Sequence, residues 1–222
     1  MKSVFFILLL LAPPPETFRA QPSPAALSLI QANSKARVPP KTGSTEDRCS
    51  ARQFTPNYAG EVGIFQSARW ERFPLAIWID SSTVENSEEM SELQAGLSKW
   101  SDATGGVLGV TFVEKLDSAQ ILINMVDKLP GANGRTRFVF TEHGVARLAS
   151  IEIVHAHWAA AAPAVQIKSR TVQQDAAHEM GHALGIVGHT TQPETIMFRI
   201  PMTDAPSPLD VNTIKTKYCE LF

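Results

Sequence analysis

Residues 178–189 read HEMGHALGIVGH. The first two histidines of this stretch are four residues apart, so on a helix they project from one face, one turn apart. Two imidazoles at this spacing can bind one small cation, most often zinc. Glu179 directly follows the first histidine, and a carboxylate there can take a proton from water held by the metal. The spacing therefore predicts a helix that carries two metal ligands and a base.

Gly185 and His189 extend this motif. A glycine can adopt positive φ and end a helix, so Gly185 is predicted to turn the chain and bring His189 to the metal as a third ligand. Three protein ligands plus one water is the pattern of a catalytic zinc site, whereas four protein ligands indicate a structural one. The alternative is a helix with two solvated or hydrogen-bonded histidines, which the downstream glycine and third histidine disfavour.

These residues resemble the metzincin clan of zinc endopeptidases, and within it the matrixin-like group, whose pattern is H-E-x-x-H-x-x-G-x-x-H. Here Gly188 stands at the position of the third histidine and His189 follows one residue later, as in some bacterial matrixin-like sequences. The resemblance implies an α+β fold with a mixed twisted β-sheet, an active-site helix, a Met-turn and a C-terminal helix. It also implies one catalytic Zn²⁺, bound by His178, His182 and His189, with Glu179 as the catalytic base.

Two later segments carry the same resemblance. Residues 189–198 (HTTQPETIMF) are similar to the path from the last histidine to the Met-turn, which implies that Met197 lies under the metal as an apolar floor. An ordinary core methionine is the alternative for Met197. Residues 208–215 (PLDVNTIK) resemble the helix that closes matrixin-type domains.

The loop between these two segments is implied to shape the substrate pocket just past the scissile bond. Ile200, Pro201 and Met202 suggest an apolar lining for that pocket. Arg199 stands where some metzincins carry a tyrosine that assists the transition state, so that role is not carried over.

The N-terminal part of the chain differs in composition. Residues 1–20 are predicted as a signal peptide, because Lys2 precedes an apolar run from Val4 to Ala12 that is too short to cross a bilayer. Residues 21–66 are rich in Pro, Ser, Ala and Gln and are predicted as a poorly ordered linker or short prosegment. A flexible tether without an inhibitory role is the alternative. Residues 67–222 then form the catalytic domain of a secreted, extracellular protein.

The composition and net charge of the chain indicate which classes of partner to expect. The 222 residues are 44% hydrophobic and 19% charged with a net charge of −2, which is typical of a globular domain and gives no indication of nucleic acid. No stretch is long enough to span a membrane, so the expected partner is a protein or peptide substrate and the expected state is a monomer. No acidic group has calcium-loop spacing, so Ca²⁺ is not indicated, although backbone carbonyls could still bind it.

The two cysteines, Cys49 and Cys219, favour a disulfide in an oxidising compartment. A Cys49 thiolate bound to the zinc, as in matrixin prosegments, and two free thiols are the alternatives. His155 and His157 alternate, so they share one face of a strand and are predicted to be solvated or hydrogen-bonded on an edge strand. A second, structural metal is the alternative for this pair, and His143 is assigned no role.

Periodicity and turn residues predict the remaining elements. The predicted strands are Pro74–Asp80, Val107–Val113, Ala119–Val126, Phe138–Phe140 and Val145–Val154; a helix is predicted over Asn86–Ser98, a surface loop over Asp127–Arg137, and a helix start near Thr171 with Gln174 in a capping box. This order indicates an α+β domain.

The function predicted is that of a secreted zinc metalloendopeptidase that hydrolyses peptide bonds with water activated by Glu179. Two alternatives remain open: a secreted, non-catalytic zinc-binding or inhibitory module on the same scaffold, and a metal-scavenging protein.

Overall fold

The computed structural model describes residues 53–64, 68–141, 143–156 and 171–222. The predicted signal peptide, Cys49, His157 and most of segment 21–66 lie outside these ranges. Within the described ranges, no helix is both long enough and apolar enough to cross a membrane.

A mixed five-stranded sheet lies at the centre of the fold, in the order β2-β1-β3-β5-β4. The strands are β1 (Leu75–Ile79), β2 (Val110–Phe112), β3 (Ile121–Val126), β4 (Gly134–Phe140) and β5 (Ala146–Val154). Strand β1 pairs in parallel with β2 and β3, and β3 pairs in parallel with β5. Strand β4 pairs antiparallel with β5 and is an edge strand of the described sheet.

Within the described part of the chain, three α-helices accompany the sheet: α1 (Ser87–Ala103), α2 (Val172–Ala183) and α3 (Pro208–Lys217). Short 3₁₀ turns occur at Ser81–Thr83, Leu116–Ser118 and Cys219–Leu221. The α+β class predicted from the sequence is confirmed.

Helix α1 begins where its sequence signals predict, because the side chain of Asn86 caps it by accepting from the backbone N–H of Glu89 at 3.0 Å. It ends at Ala103, five residues beyond the predicted end, since its apolar stripe continues to the fully buried Trp100. The indole Nε1 of Trp100 donates to the carbonyl of Ala177 at 2.8 Å and so ties α1 to α2.

The two helices approach closely at Gly96. A Cβ atom added there would lie 2.3 Å from the backbone oxygen of Gln173 and 2.7 Å from the Cβ of Ala176. A side chain at position 96 would therefore push α2, which carries the histidines, away from α1.

The loop predicted over Asp127–Arg137 is wrong in its last four residues, which begin β4 at Gly134. These residues are polar because an edge strand exposes charge rather than alternating with core residues. Arg137 forms an ion pair with Glu152 of β5, with Nη1 and Oε2 2.9 Å apart.

Two other strand predictions need correction. Strand β2 covers only Val110–Phe112 of the predicted Val107–Val113, since residues 104–108 form a turn in which the N–H of Leu108 donates to Thr104 Oγ1 at 3.2 Å. Strand β5 lies between β3 and β4 rather than at an edge. His155, which directly follows β5, is hydrogen-bonded, as one of the two predicted states has it, but it is buried.

Part of the predicted linker contributes to the core. Tyr58, Ala59, Val62 and Ile64 are buried in the main hydrophobic cluster. The Tyr58 hydroxyl donates to Asp210 of α3, and its backbone N–H donates to Thr213 Oγ1 at 3.0 Å. The segment has no periodic pattern because it is built of turns, so its burial depends on contacts with a helix about 150 residues away.

The last turn of the chain is covalently held. Cys219 is disulfide-bonded. Cys49 is the only other cysteine of the sequence and lies outside the described ranges.

Candidate metal centre

Helix α2 begins with the predicted capping box. Thr171 Oγ1 accepts from the backbone N–H of Gln174 at 3.1 Å, and Gln174 Oε1 accepts from the backbone N–H of Thr171 at 3.3 Å. The two bonds satisfy N–H groups that a helix start otherwise leaves without partners. They fix the first turn of the helix that carries His178, Glu179 and His182.

Helix α2 ends at Ala183, two residues before Gly185, the glycine that the sequence predicts as its terminator. Gly185 has φ +104°, its N–H donates to the carbonyl of His182 at 2.8 Å, and the N–H of Ile186 donates to the carbonyl of Gly181 at 3.1 Å. This pair of bonds is the Schellman motif. A Cβ at position 185 would also lie 2.6 Å from the oxygen of Ala68, so a left-handed and crowded position makes glycine necessary.

The chain then folds back and returns His189 to the helix. The N–H of Thr190 donates to the carbonyl of Met197 at 3.1 Å, which closes the loop 190–197 on itself. The carboxylate of Glu61 accepts from the N–H of Thr191 at 2.5 Å and from the hydroxyl of Thr190 at 3.2 Å. The segment before residue 67 therefore helps to hold the loop that carries the third histidine.

The three predicted ligands lie together. One nitrogen from each of His178, His182 and His189 falls within 4.8 Å of the other two, a group that could hold a metal ion. The Nε2 atoms of His178 and His189 are 3.2 Å apart. The inserted residue of the motif is thus absorbed in the loop, and His189 reaches the site.

Backbone carbonyls orient two of the rings. Nδ1 of His178 bonds the carbonyl of Ile196 at 2.7 Å, and Nδ1 of His182 bonds the carbonyl of Ile186 at 2.5 Å. A carbonyl only accepts, so Nδ1 carries the hydrogen in both rings and Nε2 of a neutral ring presents its lone pair. Metal-binding histidines are usually held by such a bond at the other nitrogen.

The surroundings favour neutral imidazoles. Burial lowers the pKa of His182, although its bond to the carbonyl of Ile186 acts in the opposite direction. Burial also lowers the pKa of His189, and the charges of His182 and Arg199 lower it further. A lower pKa keeps the lone pairs available for a metal at neutral pH.

Glu179 lies beside this group with its side chain directed at β4. It is only 5% exposed, and its Oε2 accepts a hydrogen bond from Thr136 Oγ1 at 2.6 Å. A buried carboxylate is costly without hydrogen bonds, so Thr136 is part of what makes this position tolerable.

Met197 is fully buried and packs directly against α2. A Cβ added to Gly181 would lie 2.3 Å from Met197 Sδ and 2.8 Å from Trp100 Cζ2. The methionine therefore lies against the residue that precedes His182, a location compatible with the predicted floor.

Asp210, at the start of α3, anchors the segment next to Met197. Its Oδ2 accepts from the N–H of Ile196 at 3.0 Å and from the N–H of Ser207 at 2.7 Å. Since the carbonyl of Ile196 orients His178, a fully buried aspartate in the last helix supports the metal centre through one intervening residue.

The predicted pocket residues lie just beyond the turn. Ile200 is 37% exposed and Met202 is 68% exposed, while Pro201 is buried. Two exposed apolar side chains next to the site are compatible with a substrate surface, and their role stays a prediction.

A second group of ligand atoms lies at the start of α1. Oxygens of Glu85 and Glu89 and a nitrogen of His155 fall within 4.8 Å of one another. His155 Nδ1 lies 2.7 Å from Glu89 Oε1, while Glu89 Oε2 accepts from the backbone N–H of Glu85 at 2.8 Å. Hydrogen bonds within the group thus engage both oxygens of its buried carboxylate.

Sequence reasoning missed Thr136, Glu61 and Asp210, which support the site from other elements. Thr136 falls in the stretch predicted as a loop, Glu61 falls in the predicted linker, and Asp210 is predicted only as part of the closing helix. Their contacts join residues 14 to 130 positions apart, for which no local pattern exists.

No protein-family model matches this chain, and no curated protein matches it.

Proposed function

We propose that this protein is a secreted zinc-dependent endopeptidase of the metzincin type, with His178, His182 and His189 as metal ligands and Glu179 as the base. The observation that carries the proposal is the convergence of three imidazole nitrogens within 4.8 Å: two come from helix α2, which also presents a buried carboxylate, and one comes from the segment that follows it.

The distance between two of the three nitrogens fits zinc. Two nitrogens bound to one tetrahedral zinc ion at about 2.0–2.1 Å would lie about 3.3–3.4 Å apart. The Nε2 atoms of His178 and His189 are 3.2 Å apart. Three nitrogen ligands leave the fourth position for water, which is the arrangement of a catalytic rather than a structural site.

A bound zinc ion would supply a Lewis acid that lowers the pKa of water toward about 7 and polarises the peptide carbonyl. Glu179 would accept one proton as the water oxygen forms its bond to the carbonyl carbon. As the C–N bond breaks, Glu179 would return that proton to the leaving nitrogen, which restores the carboxylate. No covalent link to the protein is required.

The edge of β4 supports an extended peptide as substrate. Glu179 contacts β4 through Thr136, so this edge borders the candidate site. An extended chain can add to such an edge through backbone hydrogen bonds, which suits a protease that reads main chain as well as side chains.

Two further observations support the proposal. The disulfide at Cys219 accords with an oxidising compartment and with the predicted signal peptide. The glycine-terminated helix, the buried Met197 and the closing helix accord with the metzincin resemblance.

The test is cleavage of casein by the purified mature protein with and without 1,10-phenanthroline. We expect the chelator to abolish cleavage and added zinc to restore it. Glu179→Gln is expected to keep its zinc and to lose about 10²- to 10⁴-fold in rate, because only the proton acceptor is removed. Glu194→Gln, which changes an exposed carboxylate in the loop between His189 and Met197, is the matched control and should retain wild-type activity.

Casein cleavage that the chelator does not inhibit, or near-normal activity of Glu179→Gln, would contradict the proposal. Stoichiometric zinc with no hydrolysis by the wild-type protein would favour the non-catalytic binding or inhibitory module instead.

A further inference from the structure

A hydroxyl group from the neighbouring sheet contacts the predicted base. Thr136 Oγ1 lies 2.6 Å from Glu179 Oε2 and 3.1 Å from the backbone oxygen of Glu179. The hydroxyl has one hydrogen to donate, and the shorter contact is in the range of a charge-assisted bond to an ionised carboxylate. The carboxylate, rather than the backbone oxygen, is therefore the principal acceptor.

The same strand makes room for the carboxylate. Gly134 lies two residues before Thr136 and so faces the same side of β4. A Cβ at position 134 would lie 2.4 Å from Glu179 Oε1 and 2.5 Å from its Cγ. The glutamate side chain thus lies over a glycine that leaves space for it, and a threonine holds its far oxygen.

Both contacts come from regular structure. Gly134 and Thr136 are paired in register with Ile153 and Ile151 of β5, and Glu179 lies within α2. Groups on paired strands and helices are held more exactly in place than groups on loops. The direction of the carboxylate is consequently set by the scaffold before any substrate arrives.

We propose that Thr136 is a positioning residue for Glu179, and that Gly134 supplies the space this position requires. Thr136 does not exchange the proton itself. Its hydrogen bond fixes the carboxylate at the place from which a proton can be taken from water and returned to the leaving nitrogen. The inference rests on the proposed role of Glu179 and adds a residue that the H-E-x-x-H motif does not contain.

The experiment compares Thr136→Val with Thr136→Ser in zinc-loaded protein. Valine keeps the branched shape on the strand but removes the donor, so kcat for a peptide substrate should fall about 10- to 100-fold, with KM and zinc content unchanged. Serine keeps the donor and should restore kcat to within about threefold of wild type. In a Glu179→Gln background, Thr136→Val should cause no further loss, because the two residues act as one unit.

A second variant and a structural readout complete the test. Gly134→Ala should lower kcat at unchanged zinc content, because the added methyl group occupies the place of the carboxylate. Gly60→Ala, at a glycine with nothing within 4 Å of an added Cβ, is the matched control and should be neutral. Crystals of metal-free Thr136→Val should show Glu179 in more than one conformer, and those of Thr136→Ser in one.

The inference would be overturned by a Thr136→Val variant with wild-type kcat, by a raised KM at unchanged kcat, or by loss of zinc in both Thr136→Val and Gly134→Ala. The proposed function fails by a different result, namely absence of chelator-sensitive cleavage in the wild type or activity in Glu179→Gln. If the wild type cleaves casein and Glu179→Gln does not, a fully active Thr136→Val would contradict the role of Thr136 but leave the proposed function intact.

Discussion

Among the residues that the structure describes, two groups of side chains each bring three ligand atoms within 4.8 Å of one another, and they differ in how those atoms are used. In the group at the end of α2, His178 and His182 each bond a backbone carbonyl through Nδ1. The Nε2 atom of His178 instead faces Nε2 of His189 at 3.2 Å. Because Nδ1 of His178 carries its hydrogen, Nε2 of His178 presents a lone pair that can accept from Nε2 of His189 or bind a cation.

In the group at the start of α1, the bonds run within the group. His155 lies 2.7 Å from Glu89, and the other oxygen of Glu89 accepts from the backbone of Glu85. A histidine and a carboxylate at this distance satisfy each other, and the helix start supplies a further donor. Proximity of ligand atoms therefore does not by itself define a metal site. The hydrogen bonds made by the second nitrogen or oxygen of each side chain determine whether the first one has a lone pair available for a metal.

The strongest way to break this comparison is to remove one histidine from each group. His182→Ala should lose its zinc, because two ligands cannot hold the ion against competition. His155→Ala should keep one zinc per chain but should unfold more easily, by about 1–3 kcal/mol, because Glu89 loses its partner in a buried position. Zinc content by atomic absorption and chemical denaturation check the two expectations.

Loss of zinc in His155→Ala together with retention in His182→Ala would exchange the roles of the two groups and contradict the account.

A substitution with a smaller expected effect tests the packing of Met197 against Gly181, beneath the histidine group. Gly181→Ala should destabilise the protein by about 1–3 kcal/mol and weaken zinc binding, since the new methyl group would displace Met197 and the segment that orients His178. Alanine in a helix is otherwise favoured over glycine by about 1 kcal/mol, so a loss of stability reports the contact itself. Denaturation curves and zinc titrations measure both changes.

Gly60→Ala serves as the control, because an added Cβ there meets nothing within 4 Å. A Gly181→Ala protein as stable as wild type would show that the packing under His182 is looser than described.

The last prediction concerns a buried basic residue that belongs to neither group of ligand atoms. Lys217 donates to the carbonyl of Ile64 at 2.7 Å, and burial, with a contribution from the charge of Arg69, lowers its pKa to about 7. Between pH 7 and about 9.5 the unfolded chain holds this proton and the folded chain releases it, so stability should rise with pH, by at most about 1.4 kcal/mol per unit. Lys217→Met should remove the rise, whereas Lys215→Met in the same helix should keep it.

Denaturation midpoints of metal-free protein across this pH range provide the measurement. A wild-type stability that is flat or falls between pH 7 and 9 would show that Lys217 is not held in the interior as a neutral amine.

The sequence predicts the parts of the site that depend on local chemistry. Each of these signals involves only a few neighbouring residues: the capping box at Thr171, the helix terminator Gly185, and the i, i+4 spacing of His178 and His182. The structure contains the corresponding hydrogen bonds and the positive φ of Gly185. Local hydrogen bonding fixes local geometry, so a short pattern is sufficient.

The remaining parts depend on contacts between distant segments. Thr136 is 43 positions from Glu179, to which it donates. Glu61 is 130 positions from Thr191, whose backbone N–H donates to it. An edge strand rich in arginine and a segment built of turns lack the periodicity that reveals burial, so β4 and residues 58–64 are under-predicted. Supporting residues of a site are thus harder to recognise than its ligands.

The most direct test of the account is an anomalous difference map from crystals of zinc-loaded protein, recorded on both sides of the zinc absorption edge. We expect one peak per chain, about 2.0–2.1 Å from Nε2 of His178, His182 and His189. A peak between His155 and Glu89 instead, or no peak within bonding distance of all three imidazoles, would contradict it.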